Sequence, residues 1–152
     1  MRNLMIIALF LTLSAPLFAQ QKYQPVRTAL EELNEKYTSG LFRNVHSTDF
    51  DLENDNANVS GYLNILNWLQ GRVAGLQVYN YRGMQIPVIR NYVAQVYVDE
   101  MRVDPSFLNM LSVNDIALVK VIKQPFMGGF NGAGGAIAVY TKRGEGEEEE
   151  VG

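Results

Sequence analysis

Four carboxylates, Asp49, Asp51, Glu53 and Asp55, alternate in one polar stretch and invite a calcium reading. Their spacing does not support an EF-hand. A loop begun at Asp51 puts Asn56 where the turn needs Gly and Tyr62 where a bidentate Glu is required; one begun at Asp49 puts Asn54 and Ser60 there. The stretch reads as a polar connector with Asx turns. The run Gly128-Gly129-Phe130-Asn131-Gly132-Ala133-Gly134-Gly135 could cradle a phosphate, but it leads into a strand pattern where both nucleotide motifs lead into a helix. Its glycines suit positive φ in a tight connection, or close contact with another chain. His46 has Ser47, Asp49 and Asp51 nearby without the strained nucleophile a triad requires, so it reads as an ordinary polar residue. Asp99 and Glu100 are adjacent at a strand end, where side chains point to opposite faces and cannot share one substrate. With no metal spacing, nucleophile elbow or acid–base pair, the chain is expected to be non-enzymatic, with no cofactor and no metal. Tyr79, Tyr81, Tyr92 and Tyr97, with Arg72, Arg82 and Arg90, could instead form a binding face, because Tyr and Arg are enriched at interaction surfaces.

The composition narrows the classes further. A chain of 152 residues, 47% hydrophobic and 19% charged, supplies one compact domain. Zero cysteines exclude a disulfide framework and a thiol nucleophile, and the single His excludes an all-imidazole metal site within one chain. The formal charge of -3 comes from 13 basic against 16 acidic residues, five of the latter in the tail Glu145 and Glu147 to Glu150; the remainder is close to neutral. Nothing here resembles the basic excess of a nucleic-acid-binding domain, so no nucleic-acid partner is expected.

Residues 1–19 carry Arg2, an apolar run from Leu4 to Leu13 too short to span a bilayer, and Ala19 before a polar start at Gln20; they read as a signal peptide. No later stretch is long and apolar enough for a membrane helix, so the mature chain is expected to be exported without one. After Pro25, the spacing of Val26, Leu30, Leu33 and Tyr37 predicts an amphipathic helix ending near Gly40. Leu41 to Phe50 could be extended, and Asp49 to Asn58 reads as a connector. From Ser60, a second helical face runs through Tyr62, Ile65, Leu66, Leu69 and Val73, with Trp68 at its flank and Gly71 and Gly75 closing it. Candidate strands follow at 75–79, 86–89 and 95–98. Asp104-Pro105-Ser106 then caps a short helix through Phe107, Leu108 and Leu111, and further strands are expected at 117–123 and 136–141. This alternation implies an α/β (α+β) domain with a short mixed sheet and two to three short helices.

Leu69-Gln70-Gly71-Arg72-Val73-Ala74-Gly75-Leu76-Gln77-Val78 closely resembles the opening of the plug domain of TonB-dependent outer-membrane receptors. The resemblance continues, in family order, through Val96-Tyr97-Val98-Asp99, the segment Leu111 to Lys123 and the closing Gly134-Gly135-Ala136-Ile137-Ala138-Val139-Tyr140-Thr141-Lys142-Arg143-Gly144. It covers about residues 60 to 144. In that family the plug is a small α/β domain inside a large β-barrel, where it gates the channel and contacts substrate. The family's Val-Asp-Gly turn is Val98-Asp99-Glu100 here, and its loop before the last strand is altered to Met127-Gly128-Gly129-Phe130-Asn131. Only the acidic tail follows Gly144, whereas membrane barrels need at least about eight strands, so the expectation is a stand-alone plug-like domain.

The expected organisation is a signal peptide at 1–19, an N-terminal helix and polar connector at 20–58, a plug-like domain at 59–144 and an acidic disordered tail at 145–152. The expected function is contact with a protein partner, an outer-membrane β-barrel or a periplasmic or surface assembly, in a role connected with outer-membrane uptake. Loops on a scaffold usually carry binding, which singles out Asp99, Glu100 and Arg102 with Gly128, Gly129, Phe130, Asn131, Gly134 and Gly135. A bulky residue in place of Gly134 is expected to weaken partner binding without abolishing folding. Two alternatives stand beside this reading: a periplasmic or surface glycan- or small-ligand-binding protein stacking ligand on Trp68 or the tyrosines, and a truncated fragment of a larger receptor.

Overall fold

The structure is a computed structural model that describes residues 28–54, 59–126 and 132–142. The expected signal peptide, the acidic tail and the loop Gly128 to Asn131 lie outside the described residues. The molecule is mixed α/β, as the alternation of patterns implies. Helix α1 spans Ala29–Tyr37, strand β1 Thr48–Asp51 and helix α2 Ile65–Leu69. Strands β2 (Leu76–Tyr81), β3 (Met84–Ile89), β4 (Tyr92–Val93), β5 (Gln95–Val98) and β6 (Met101–Val103) follow. Two 3-10 turns, Pro105–Asn109 and Val113–Asp115, lead to β7 (Ile116–Ile122), and a third, Gly132–Gly134, leads to β8 (Ala136–Thr141).

The strands form a five-stranded sheet in the order β1-β7-β8-β5-β6 and a three-stranded sheet in the order β2-β3-β4. Within the larger sheet β5 and β8 run parallel, with Val96 opposite Ile137 and Val98 opposite Val139; every other pairing is antiparallel. Strands β7 and β8 are central and covered on both faces, and each accordingly reads as an almost unbroken apolar run. One face, with Val96, Val119, Val121, Ile137 and Val139, packs on Ile65, Leu66, Trp68 and Leu69 around α2. The other presents Leu118, Ala136, Ala138 and Tyr140 to Leu33 and Tyr37 of α1 and to Phe42. The small Ala136 and Ala138 leave room there for an aromatic group in which Phe42 meets Tyr97 edge-on at 4.9 Å and stacks on Phe126 at 5.1 Å.

Helix α1 begins at a capping box: Glu31 donates its N–H to Thr28 Oγ1 at 3.3 Å, and Thr28 donates its own to Glu31 Oε2 at 2.9 Å. It stops at Thr38, whose extended backbone ends the turn. The stretch 41–50, which could be extended by its sequence, contains turns before its strand, β1, and that strand runs into the supposed connector. The second helix is shorter than its pattern, because a helical N-cap forms only at Asn64, which accepts from Asn67 N–H, and Gln70 closes it. Tyr62 consequently lies outside the helix and is exposed, while Trp68, expected at the flank, is 3% exposed and packed edge-on against Phe50. The expected helix through Leu111 is the 3-10 turn Pro105–Asn109, capped by Asp104, which accepts from Ser106 N–H at 2.9 Å.

Two-residue turns join β2 to β3, β3 to β4 and β5 to β6. Their central residues, Arg82-Gly83, Arg90-Asn91 and Asp99-Glu100, all have positive φ, the geometry whose twist matches paired strands.

Candidate protein-contact surface

Most of the predicted contact residues described here are engaged within the fold. Asp99 accepts from Thr141 N–H at 2.9 Å and from Thr141 Oγ1 at 2.7 Å, tying the β5–β6 turn to the end of β8. Glu100, half-buried, accepts from Ser39 N–H at 2.7 Å and from the Ser39 hydroxyl, and the Tyr140 hydroxyl approaches it at 3.4 Å. Burial, and then the negative charge of Glu100, push the Tyr140 phenol well above the ordinary value of 10.0. Arg102 remains exposed on β6, across from Tyr97.

Gly134 and Gly135 meet backbone rather than open space. A Cβ on Gly134 would come within 2.6 Å of the Val93 carbonyl oxygen, and one on Gly135, at φ +71°, within 2.1 Å of that of Ile122. The expectation that a bulky residue at Gly134 would leave folding intact is therefore corrected: the glycine is where the turn before β8 passes against β4.

Asp49, Asp51 and Glu53, the described members of the acidic stretch, each have a different partner. Asp49 faces Lys120 and accepts from the Ser47 hydroxyl, Asp51 accepts from Asn54 N–H and Nδ2, and Glu53 pairs with Lys36 at 3.2 Å. Among the described residues no group of three or more His, Asp or Glu could hold a metal. Asp55 lies outside them.

The tyrosine and arginine set divides. Tyr97 is buried in the aromatic group, and its hydroxyl donates to Gln95 Oε1 at 2.9 Å. Arg72 donates to the Trp68 carbonyl at 2.7 Å and lies over the indole at 4.6 Å, so Trp68 offers no open ring for a sugar, which leaves that alternative to the exposed tyrosines. Tyr92 pairs with the buried Ile89, on the opposite face of the small sheet from Tyr79 and Tyr81.

Tyr79 and Tyr81, by contrast, stand together. Residues directly opposite across a ladder share a face, and the pairs Gln77–Val88, Tyr79–Ile86 and Tyr81–Met84 place Tyr79, Tyr81, Met84, Ile86 and Val88 on one face, joined by Val93 opposite Val88. The other face, with Leu76, Val78 and Ile89, packs into the core. Tyr79, Tyr81, Met84 and Val93 are 54, 57, 43 and 49% exposed, so the outward face is an apolar sheet surface open to solvent. Arg82 lies over the Tyr81 ring at 5.3 Å. From Val59 to Val98 the chain carries Arg72, Arg82 and Arg90 and no acidic residue, which leaves the charge around this face positive. Alternation along β3 could have signalled the face, but Met84-Gln85-Ile86-Pro87-Val88-Ile89 is apolar on both sides and reads as a buried strand.

No protein-family model matches the sequence, and no curated protein matches it. Among solved structures, the fold is similar to a chain of the RagAB peptide importer in its "closed-closed" state, with a TM-score of 0.53 and 22% identity over 68% of this chain. It is similar in the same degree to the RagAB peptide importer in its "open-open" state, with a TM-score of 0.53 and 22% identity over 66% of this chain. The chain spans 13% and 12% of the length of those two chains. At this identity the likeness establishes the fold. No helix among the described residues is long and apolar enough to cross a membrane.

Proposed function

We propose that this chain is an exported, non-enzymatic plug-like domain that acts through protein contacts at the outer membrane, in a system that takes up material across it. The observation that carries the reading is the outward face of β2 and β3, where Tyr79, Tyr81, Met84 and Val93 are exposed together beside Arg82. An apolar sheet surface of this kind on a small domain marks a place where another protein belongs. The segments from about 60 to 144 that resemble a plug in sequence order, and the fold shared with part of a peptide importer, support the class of partner: an outer-membrane β-barrel or an envelope assembly built around one. The contact is a docking surface rather than an active site.

In-cell crosslinking of the tagged mature protein, followed by mass spectrometry of what is captured, tests the reading. Recovery of an outer-membrane barrel, lost on the double change Tyr79→Ser and Tyr81→Ser, is the expected result. Recovery of soluble proteins alone, unaffected by those changes, would overturn it.

A further inference from the structure

The outer edge of β1 is a second surface, remote in kind from the apolar sheet face. Leu52 donates its N–H to the Ala117 carbonyl at 2.9 Å, so the alternation of an antiparallel ladder turns the backbone of Thr48 and Phe50 toward β7 and that of Asp49 and Asp51 outward. Among the described residues no strand pairs with that edge. A groove of about 630 Å³ runs beside it, bounded by Leu30 of α1, by Asp49, Phe50 and Asp51, and by Trp68 and Arg72. The Trp68 indole N–H is buried in this wall without an acceptor among the described residues.

We infer that this groove binds an extended peptide, added as a further strand to the outer edge of β1. The recognition chemistry is the outward N–H and C=O groups of Asp49 and Asp51, which an extended chain satisfies by pairing along the edge. An added strand directs alternate side chains to the two faces of the sheet. On one side they meet the half-buried ring of Phe50, beside the Arg72 guanidinium that covers the buried Trp68, and an apolar residue packs there on Phe50. On the other they meet Asp49 and Asp51, two carboxylates against the single charge of Lys120, which select basic residues. The preferred ligand is thus a peptide alternating apolar and basic residues. This inference does not depend on the proposed contact at β2 and β3.

The test is an NMR titration of the full mature chain with an eight-residue peptide alternating Val and Lys, beside the same peptide N-methylated at alternate residues. Trp68 is the only Trp in the chain, so its indole N–H gives a single reporter. The expected result is a saturable shift of the Asp49 and Asp51 amides and of that indole, with exchange of the two amides slowed on binding; N-methylation should weaken binding by about tenfold or more. Equal binding of the N-methylated peptide, shifts confined to other strands, or no shift at all would overturn the inference. So would full protection of both amides from exchange in the free protein, which would mean that the edge is already paired. Replacing Asp51 with Pro removes one outward N–H at an edge where Pro is tolerated, and should weaken binding while the β7 and β8 amides stay protected.

Discussion

Glu100 occupies a backbone position, φ +65°, that suits glycine, and holds it by accepting two hydrogen bonds from Ser39. Glu100→Ala loses the anchor and keeps the strain, whereas Glu100→Gly loses the anchor and relieves the strain, so the Ala variant should be less stable than the Gly variant by about 1 kcal/mol in urea denaturation. Equal stabilities would mean that the left-handed backbone costs nothing here. The neighbouring Tyr140 carries a pH dependence of definite sign. Its phenol is raised above the ordinary 10.0, so the folded state holds the proton more tightly than the unfolded chain. The resulting stability is complete below about pH 10 and declines as pH rises beyond it. Tyr140→Phe should flatten that alkaline decline, measured as the difference in melting temperature between pH 8 and pH 11; an unchanged slope would assign the decline to other groups. Gly135 is under the tightest constraint, with the Ile122 carbonyl oxygen 2.1 Å from where a Cβ would lie. Gly135→Ala should destabilise the fold by more than about 2 kcal/mol, read by thermal denaturation.

At the scale of elements, the five-stranded sheet needs both its coverings. Helix α1 is joined to it by the apolar contacts of Leu33 and Tyr37 and by Lys120, 1% exposed, which donates to Asn34 Oδ1 at 2.6 Å and pairs with Asp49 at 3.3 Å. A charge so deeply placed is tolerated because the side chains around it supply an acceptor and a countercharge. Thr28→Ala removes one half of the capping box and should cost about 1 kcal/mol, confined to α1. Hydrogen exchange would show this as faster exchange of the α1 amides with the β7 and β8 amides unchanged; faster exchange throughout would mean that α1 and the sheet open as one unit. The elements also differ in how far the sequence announces them. Strands β7 and β8 are legible because burial on both faces makes each an apolar run, and α1 because Leu33 and Tyr37 share one helical face. The short strands β1, β4 and β6 are not: their pairing comes from neighbours and from turns such as Arg90-Asn91 and Asp99-Glu100, which lack the glycine that marks such a turn. Trp68 shows the same limit, since only the approach of Phe50 from a different strand turns a flanking residue into a buried one.

At the scale of the whole molecule, a two-sided sheet is sealed by α1 on one face and by α2 with the small sheet on the other, which leaves the outward side of β2 and β3 as an apolar surface without a covering element among the described residues. The order of segments in the sequence resembles that of a plug domain, and the fold is similar to part of a chain of the RagAB peptide importer. The proposed contact surface was legible only in part: Tyr79, Tyr81 and Arg82 stand in the sequence as candidates, whereas the hydrogen bonds of Asp99 and Glu100 to Thr141 and Ser39, and the close approach of Gly134 and Gly135 to the backbone of Val93 and Ile122, join residues far apart in the chain. The most direct test of the central claim replaces Tyr81 with a photoreactive phenylalanine derivative in cells, beside the same replacement at the exposed Glu32 on α1. The account predicts an adduct with an outer-membrane protein from position 81, lost on Arg82→Glu and absent from position 32. No adduct from position 81, or the same adducts from both positions, would contradict it.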